Sequence, residues 1–112
     1  MENVILVFIK LKENIDRASF EAFEHRVSQY NINLPSHHSF QVLRTVGTLG
    51  NENATVPYDY MEIIGIKSLE LMYKTVQNDK IIQAFMEEIK QFAAHTEVLV
   101  MDKVLEVEAA GA

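Results

Sequence analysis

The side chains of this 112-residue sequence best suited to moving a proton or gripping a polar ligand fall in two stretches that read as strands. In the first, His38, Phe40, Val42, Arg44 and Val46 occupy alternate positions; in the second, Tyr58, Tyr60, Glu62, Ile64 and Ile66 do the same. Alternate residues of a strand share one face, so each set projects together. If the two strands form a hairpin centred near residue 53, Arg44 lies opposite Glu62 and Val46 opposite Tyr60. A carboxylate, a guanidinium, two phenols and an imidazole would then stand among aliphatic walls, a mixture suited to a flat aromatic ligand.

The chemistry open to such a set is acid–base chemistry. A desolvated Glu or a His titrates near neutrality, and a Tyr hydroxyl can donate to a developing oxyanion. His38, Glu62 and Tyr60 are therefore the expected catalytic residues, with Arg44, Tyr58, Phe40, Phe23 and Tyr73 around the substrate. A purely structural alternative uses the same residues: a buried Arg44–Glu62 pair that fixes register, with the tyrosines at the sheet rim. Either His37 or His38 can share the pocket, because neighbours on a strand face opposite ways. His25 falls on the polar side of a helix, together with Glu21, Glu24 and Arg26. His95 is expected at a helix end, offsetting the dipole there. No H-x-H, E-x-x-H or H-x-x-E spacing is present, so no metal site is expected. The four glycines are scattered at 47, 50, 65 and 111, which gives no phosphate-binding loop and no support for a nucleotide or flavin.

The elements that must position these groups follow from hydrophobic periodicity. Residues 4–9 are apolar on both faces, as in a buried strand. After Asn14 and Asp16, a good helix cap, Phe20, Phe23, Val27 and Tyr30 recur at helical spacing. Asn31 to Ser36 ends that helix; strands are expected at residues 39–48 and 58–66, separated by Gly50-Asn51-Glu52-Asn53. Ser68 caps a short helix carrying Leu69, Met72, Tyr73 and Val76. Asn78-Asp79 opens another, with Ile82, Phe85, Met86, Ile89 and Phe92 on one face. A last strand spans about 97–107, and residues 108–112 read as a frayed tail of one domain covering the whole chain. The order β-α-β-β-α-β is the ferredoxin-like unit, with both helices on one face of a four-stranded sheet. Its other face would also be apolar here, and two such faces packed about a two-fold axis bury each other. The expected architecture is α+β, a ferredoxin-like unit forming a dimeric α+β barrel from a homodimer.

Over residues 3–107 this layout resembles the dimeric α+β-barrel superfamily, which includes cofactor-free monooxygenases, polyketide cyclases, chlorite dismutases and muconolactone isomerases. The stretch Tyr58-Asp-Tyr60-Met-Glu62-Ile-Ile-Gly-Ile-Lys-Ser68-Leu69 is similar to the third strand and helix cap of RedY-like, HapK-type proteins of pigment and alkaloid pathways. That resemblance implies cofactor-free cyclisation or condensation of a pyrrole- or indole-type intermediate. A sheltering protein without catalysis and an anthrone-type monooxygenase are the alternatives; the absence of Trp counts mildly against the second. Tyr73 matches a Tyr of the polyketide cyclases, but Gln77-Asn78-Asp79 lacks the His that follows it there, which puts their acid–base pair in doubt. The haem branches need a His ligand from the same region, and none is there.

Composition narrows the field further. Ten Lys and Arg against sixteen Asp and Glu leave a net charge of −6, which argues against a nucleic-acid binder. The absence of Cys excludes disulfides, thiolate metal sites and a cysteine nucleophile. No apolar run approaches the ~20 residues of a membrane span. Residues 4–9 follow Met-Glu-Asn without the basic start of a signal peptide, so a cytoplasmic location is expected.

Overall fold

Alternation along β1 (Asn3–Leu11) sets the architecture: Ile5, Val7, Ile9 and Leu11 are buried, while Val4, Leu6 and Phe8 between them are half-covered on the opposite face. The computed structural model describes residues 2–111 and orders the elements β1, α1 (Arg17–Asn31), β2 (His37–Arg44), β3 (Tyr60–Ile66), α2 (Leu69–Asn78), α3 (Lys80–Glu88) and β4 (Ala93–Asp102). A single 3₁₀ turn at Ile89–Gln91 joins α3 to β4. The sheet order is β2-β3-β1-β4, and every neighbouring pair is antiparallel. This is the ferredoxin-like α+β arrangement.

Each helix starts where a short polar side chain can accept from its free amides. Asp16 Oδ2 accepts from the Ser19 amide, Ser68 Oγ from that of Leu71, and Asp79 Oδ1 from both Ile81 and Ile82. Tyr30 donates its hydroxyl to the other Asp79 oxygen at 2.6 Å, which ties α1 to the start of α3. Phe20 and Phe23 of α1 fill the core against Tyr60 and Phe92, with Phe20 and Tyr60 ring centres 4.8 Å apart and Phe23 and Phe92 5.2 Å apart.

Four expectations about positions need correction. The second strand ends at Arg44, because Gly47 and Gly50 adopt φ of +147° and +89° and turn the chain into a small loop closed by Thr48 and Asn51. A side chain at Gly47 would press on the Glu52 backbone, so that bend requires glycine. The loop tip is thus displaced from the ladder centre, and Arg44 faces Tyr60 while Val42 faces Glu62. Parity survives this shift of two residues; the Arg44–Glu62 pairing does not. The last strand starts at Ala93 and ends at Asp102, so His95 pairs with Lys10 in the ladder instead of capping a helix.

Candidate active site

Glu62 is the polar exception on the inward face of β3, and it is 6% exposed. The group that meets it comes from α1. Buried positions there are Phe20, Phe23, Glu24, Val27 and Asn31, so Glu24 lies within the apolar stripe and is 2% exposed. The expectation that Glu24 turns to solvent is wrong. Neither of its carboxyl oxygens finds a donor among the described residues; its facing partner is Glu62. Two acceptors cannot bond each other, so the contact is a hydrogen bond only when one keeps a proton. Burial, followed by the Glu62 carboxyl, pushes Glu24 up to about 10. Burial likewise raises Glu62, so the two facing carboxyls keep one proton between them.

Glu62 opens onto a cavity of about 780 Å³ between the sheet and the helices. Its walls are mostly apolar, with Phe23 from α1, Phe40 from β2, Met72 and Tyr73 from α2 and Phe85 from α3 among them, and Asn31, Lys90, His95 and Thr96 add polar groups. A second, polar cleft of about 460 Å³ lies between α1 and the β2–β3 edge. Glu24 faces that cleft along with Glu21, His25, Ser28, Arg44 and Tyr60, and Phe40 contributes to both walls. Tyr60 is almost fully buried; its hydroxyl donates to Glu21, whose carboxylate also meets Arg44 Nη1 at 3.4 Å. Burial, and then the bond to Glu21, raises the Tyr60 phenol, while the nearby Arg17 opposes the rise.

Of the expected site residues, the large cavity therefore unites Glu62, Phe40, Phe23 and Tyr73, and the cleft unites Tyr60 and Arg44. Two others lie elsewhere. A bulge between His37 and Ser39 breaks the alternation of β2, sending His38 to the opposite sheet face, over Gly65 and 2.9 Å from Glu2. Tyr58 precedes β3, where Asp59 anchors the turn by accepting from the Leu11 amide. Its ring packs on Phe8 and its hydroxyl donates to Glu97, also on the opposite face. His37 is the buried histidine of the pair: Nδ1 lies 2.9 Å from Ser36 Oγ, and burial lowers its pKa. Among the described residues no group of three or more His, Asp or Glu could hold a metal ion, and no helix is long and apolar enough to cross a membrane.

Against this geometry, the model of the family described as REDY-like protein HapK matches residues 3–104. The chain belongs to the REDY-like HapK family. HapK from Hahella chejuensis is 25% identical over 97% of this chain and 99% of its own, with a TM-score of 0.65. The same fold recurs at lower identity. A dimeric ferredoxin-like protein of unknown function from Thermobifida fusca is 13% identical, covers 90% of each chain and has a TM-score of 0.68. SnoaB, a cofactor-independent oxygenase from Streptomyces nogalater, is 10% identical over 96% of this chain and 98% of its own, with a TM-score of 0.76. Among curated proteins none matches by sequence. In this HapK-family chain, the residue that sequence reasoning missed had a readable signal. Residues 20, 24, 27 and 31 follow the i, i+4, i+7, i+11 spacing of one helix face, which places Glu24 between Phe20 and Val27.

Proposed function

We propose that this chain is a small cofactor-independent enzyme of secondary metabolism that transfers protons to and from a flat aromatic or heterocyclic molecule, in a cyclisation or condensation. The supporting observation is the Glu24–Glu62 pair at the wall of an apolar cavity. A protonated carboxyl bonded to a carboxylate holds an acid and a base in one place, and burial keeps the proton available at neutral pH. Phe23, Phe40, Phe85 and Tyr73 give planar walls for a ring system, and HapK-family membership supports a pyrrole- or indole-type substrate. Glu62 is the catalytic base or acid, Glu24 shares its exchangeable proton, and Tyr60 with Arg44 organises the cleft behind them.

A second reading, a cofactor-free oxygenase, draws on the fold shared with SnoaB. Turnover of candidate heteroaromatic substrates with and without O₂ separates the two. Under the proton-transfer reading, turnover is independent of O₂, and Glu62→Gln, which keeps shape but removes the base, lowers it by roughly 10²-fold or more. Full activity in Glu62→Gln would overturn the assignment.

The outer sheet face supports a homodimer. Val4, Leu6, Phe8, Met61, Ile63, Leu99 and Met101 form an apolar surface that none of the three helices covers. A second copy packed on it would close the barrel.

A further inference from the structure

Two polar side chains are buried in the wall of the large cavity, and the chemistry described above uses one of them. Among the described residues the buried polar or charged side chains are Glu24, Asn31, Ser36, His37, Asp59 and Glu62, and of these Glu62 and Asn31 line the cavity. We propose that Asn31 is a specificity residue: its side-chain oxygen accepts a hydrogen bond from a ring N–H or hydroxyl of the bound aromatic molecule, at the end remote from Glu62. This rests on the reading of the cavity as a substrate site given above, and deepens it by requiring a donor on the substrate.

Asn31 closes α1 within its buried stripe, where an amide is unfavourable unless its polar atoms find partners. Its Nδ2 donates to the Val27 carbonyl at 2.7 Å. That carbonyl already receives the helical bond from the Asn31 backbone amide, so the side-chain bond does not complete the helix; it fixes the direction of the side chain. A carbonyl only accepts, so the NH₂ end must face Val27 and Oδ1 turns away from it. Oδ1 accepts nothing among the described residues, and protein does not seal it, so its open side is the cavity that Asn31 lines. The other polar groups of the wall are placed differently. Lys90 holds Glu87 at 3.0 Å and is largely exposed, the His95 ring stacks on Tyr58 at the outer sheet face, and Thr96 is exposed. They belong to the mouth and Asn31 to the interior. Asn31 follows Glu24 by seven residues on one helix face, about 10 Å along the axis, and Glu24 faces Glu62. Val27 lies between the two on α1 and, with Phe40 and Ile64, lines the same cavity. A ligand that reaches both Glu62 and Asn31 is therefore longer than a single ring, apolar in its middle, and carries its donor away from the reacting atoms. The same shape without a donor would leave Oδ1 dry and unbonded, which disfavours its binding.

The test measures affinity without turnover, by fluorescence titration with 2-phenylindole and with 2-phenylbenzofuran, which share one shape and differ in an N–H against a ring oxygen. The wild type should hold the indole roughly tenfold more tightly. Asn31→Leu should bring the two affinities together, with Asn31→Ala as the second variant if leucine crowds the fold. Glu62→Gln should keep the preference, because the donor is met at the other end of the cavity. Equal affinities in the wild type, a preference that survives the Asn31 variants, or one that Glu62→Gln abolishes would overturn the assignment while leaving the proton-transfer reading standing. An Asn31 variant that weakens both probes in parallel would do the same, marking the residue as structural. Binding of neither probe would instead defeat the reading of the cavity as a substrate site.

Discussion

A carboxyl held protonated by burial makes the folded state bind a proton that the unfolded chain releases, and stability must then fall as pH rises. Glu24 moves from an ordinary value of 4.5 to about 10 on folding. Between those limits the unfolded chain has lost this proton and the folded chain keeps it. The contribution is therefore largest at low pH and is lost progressively through that window, at about 1.4 kcal/mol per pH unit for one retained proton. From pH 6 to pH 8 the loss is about 3 kcal/mol, worth roughly 10 °C of melting temperature in a domain of this size. The double variant Glu24→Gln/Glu62→Gln removes the titrating pair while keeping its volume, so its stability should be flatter over that interval by the same amount. His37, whose pKa burial lowers, acts with the opposite sign near pH 6, but it is common to both proteins and cancels in the difference. Urea unfolding at fixed protein concentration, at pH 6, 7 and 8, measures the slopes. Parallel slopes for wild type and double variant would refute the shared proton.

His38→Ala should retain full turnover, because the imidazole lies on the outer face against Glu2; a loss of roughly 10²-fold would return it to the chemistry. Leu99→Lys places a charge on the outer face opposite Leu6 and should yield monomer or unfolded chain, whereas light scattering that gives a 12.8 kDa particle for the wild type would remove the dimer. Asp59→Ala strips the partner from the Leu11 amide and from Arg17, and should cost roughly 1–3 kcal/mol in denaturant unfolding; no change in midpoint would show that the turn holds without it.

The order of elements was legible because it depends on repeated local features. Asp16, Ser68 and Asp79 are caps where the sequence placed caps, and β1 is buried as its apolar run required. The site was legible in part. Glu62, Phe40, Phe23 and Tyr73 share a cavity because parity and helical spacing are short-range rules. What failed was long-range or irregular. Strict alternation could not foresee the bulge that turns His38 outward, nor the pivot at Asp59 that turns Tyr58 away. Glu24 differs for another reason: its charge type points to water while its place in the stripe points inward, and the place prevails. Its burial is tolerable because the proton it retains removes the charge.

The bulge in β2 also has a bearing on how the length of this strand can vary. Before it His37 stands opposite Ile66, and after it Ser39 stands opposite Gly65 and Phe40 opposite Ile64. The strand carries one supernumerary residue, so a chain lacking His38 would run as an unbroken ladder with every remaining partner kept. Deleting Phe40 instead would let the bulge close with Ser39 opposite Ile64, leaving a hydroxyl where the core holds a ring. Single-residue gaps among homologous chains should therefore gather at position 38 and be absent from 41 to 44, where a gap would turn Phe40 to the outer face. A His38-deleted protein should melt close to wild type, where a Phe40-deleted one should melt well below it.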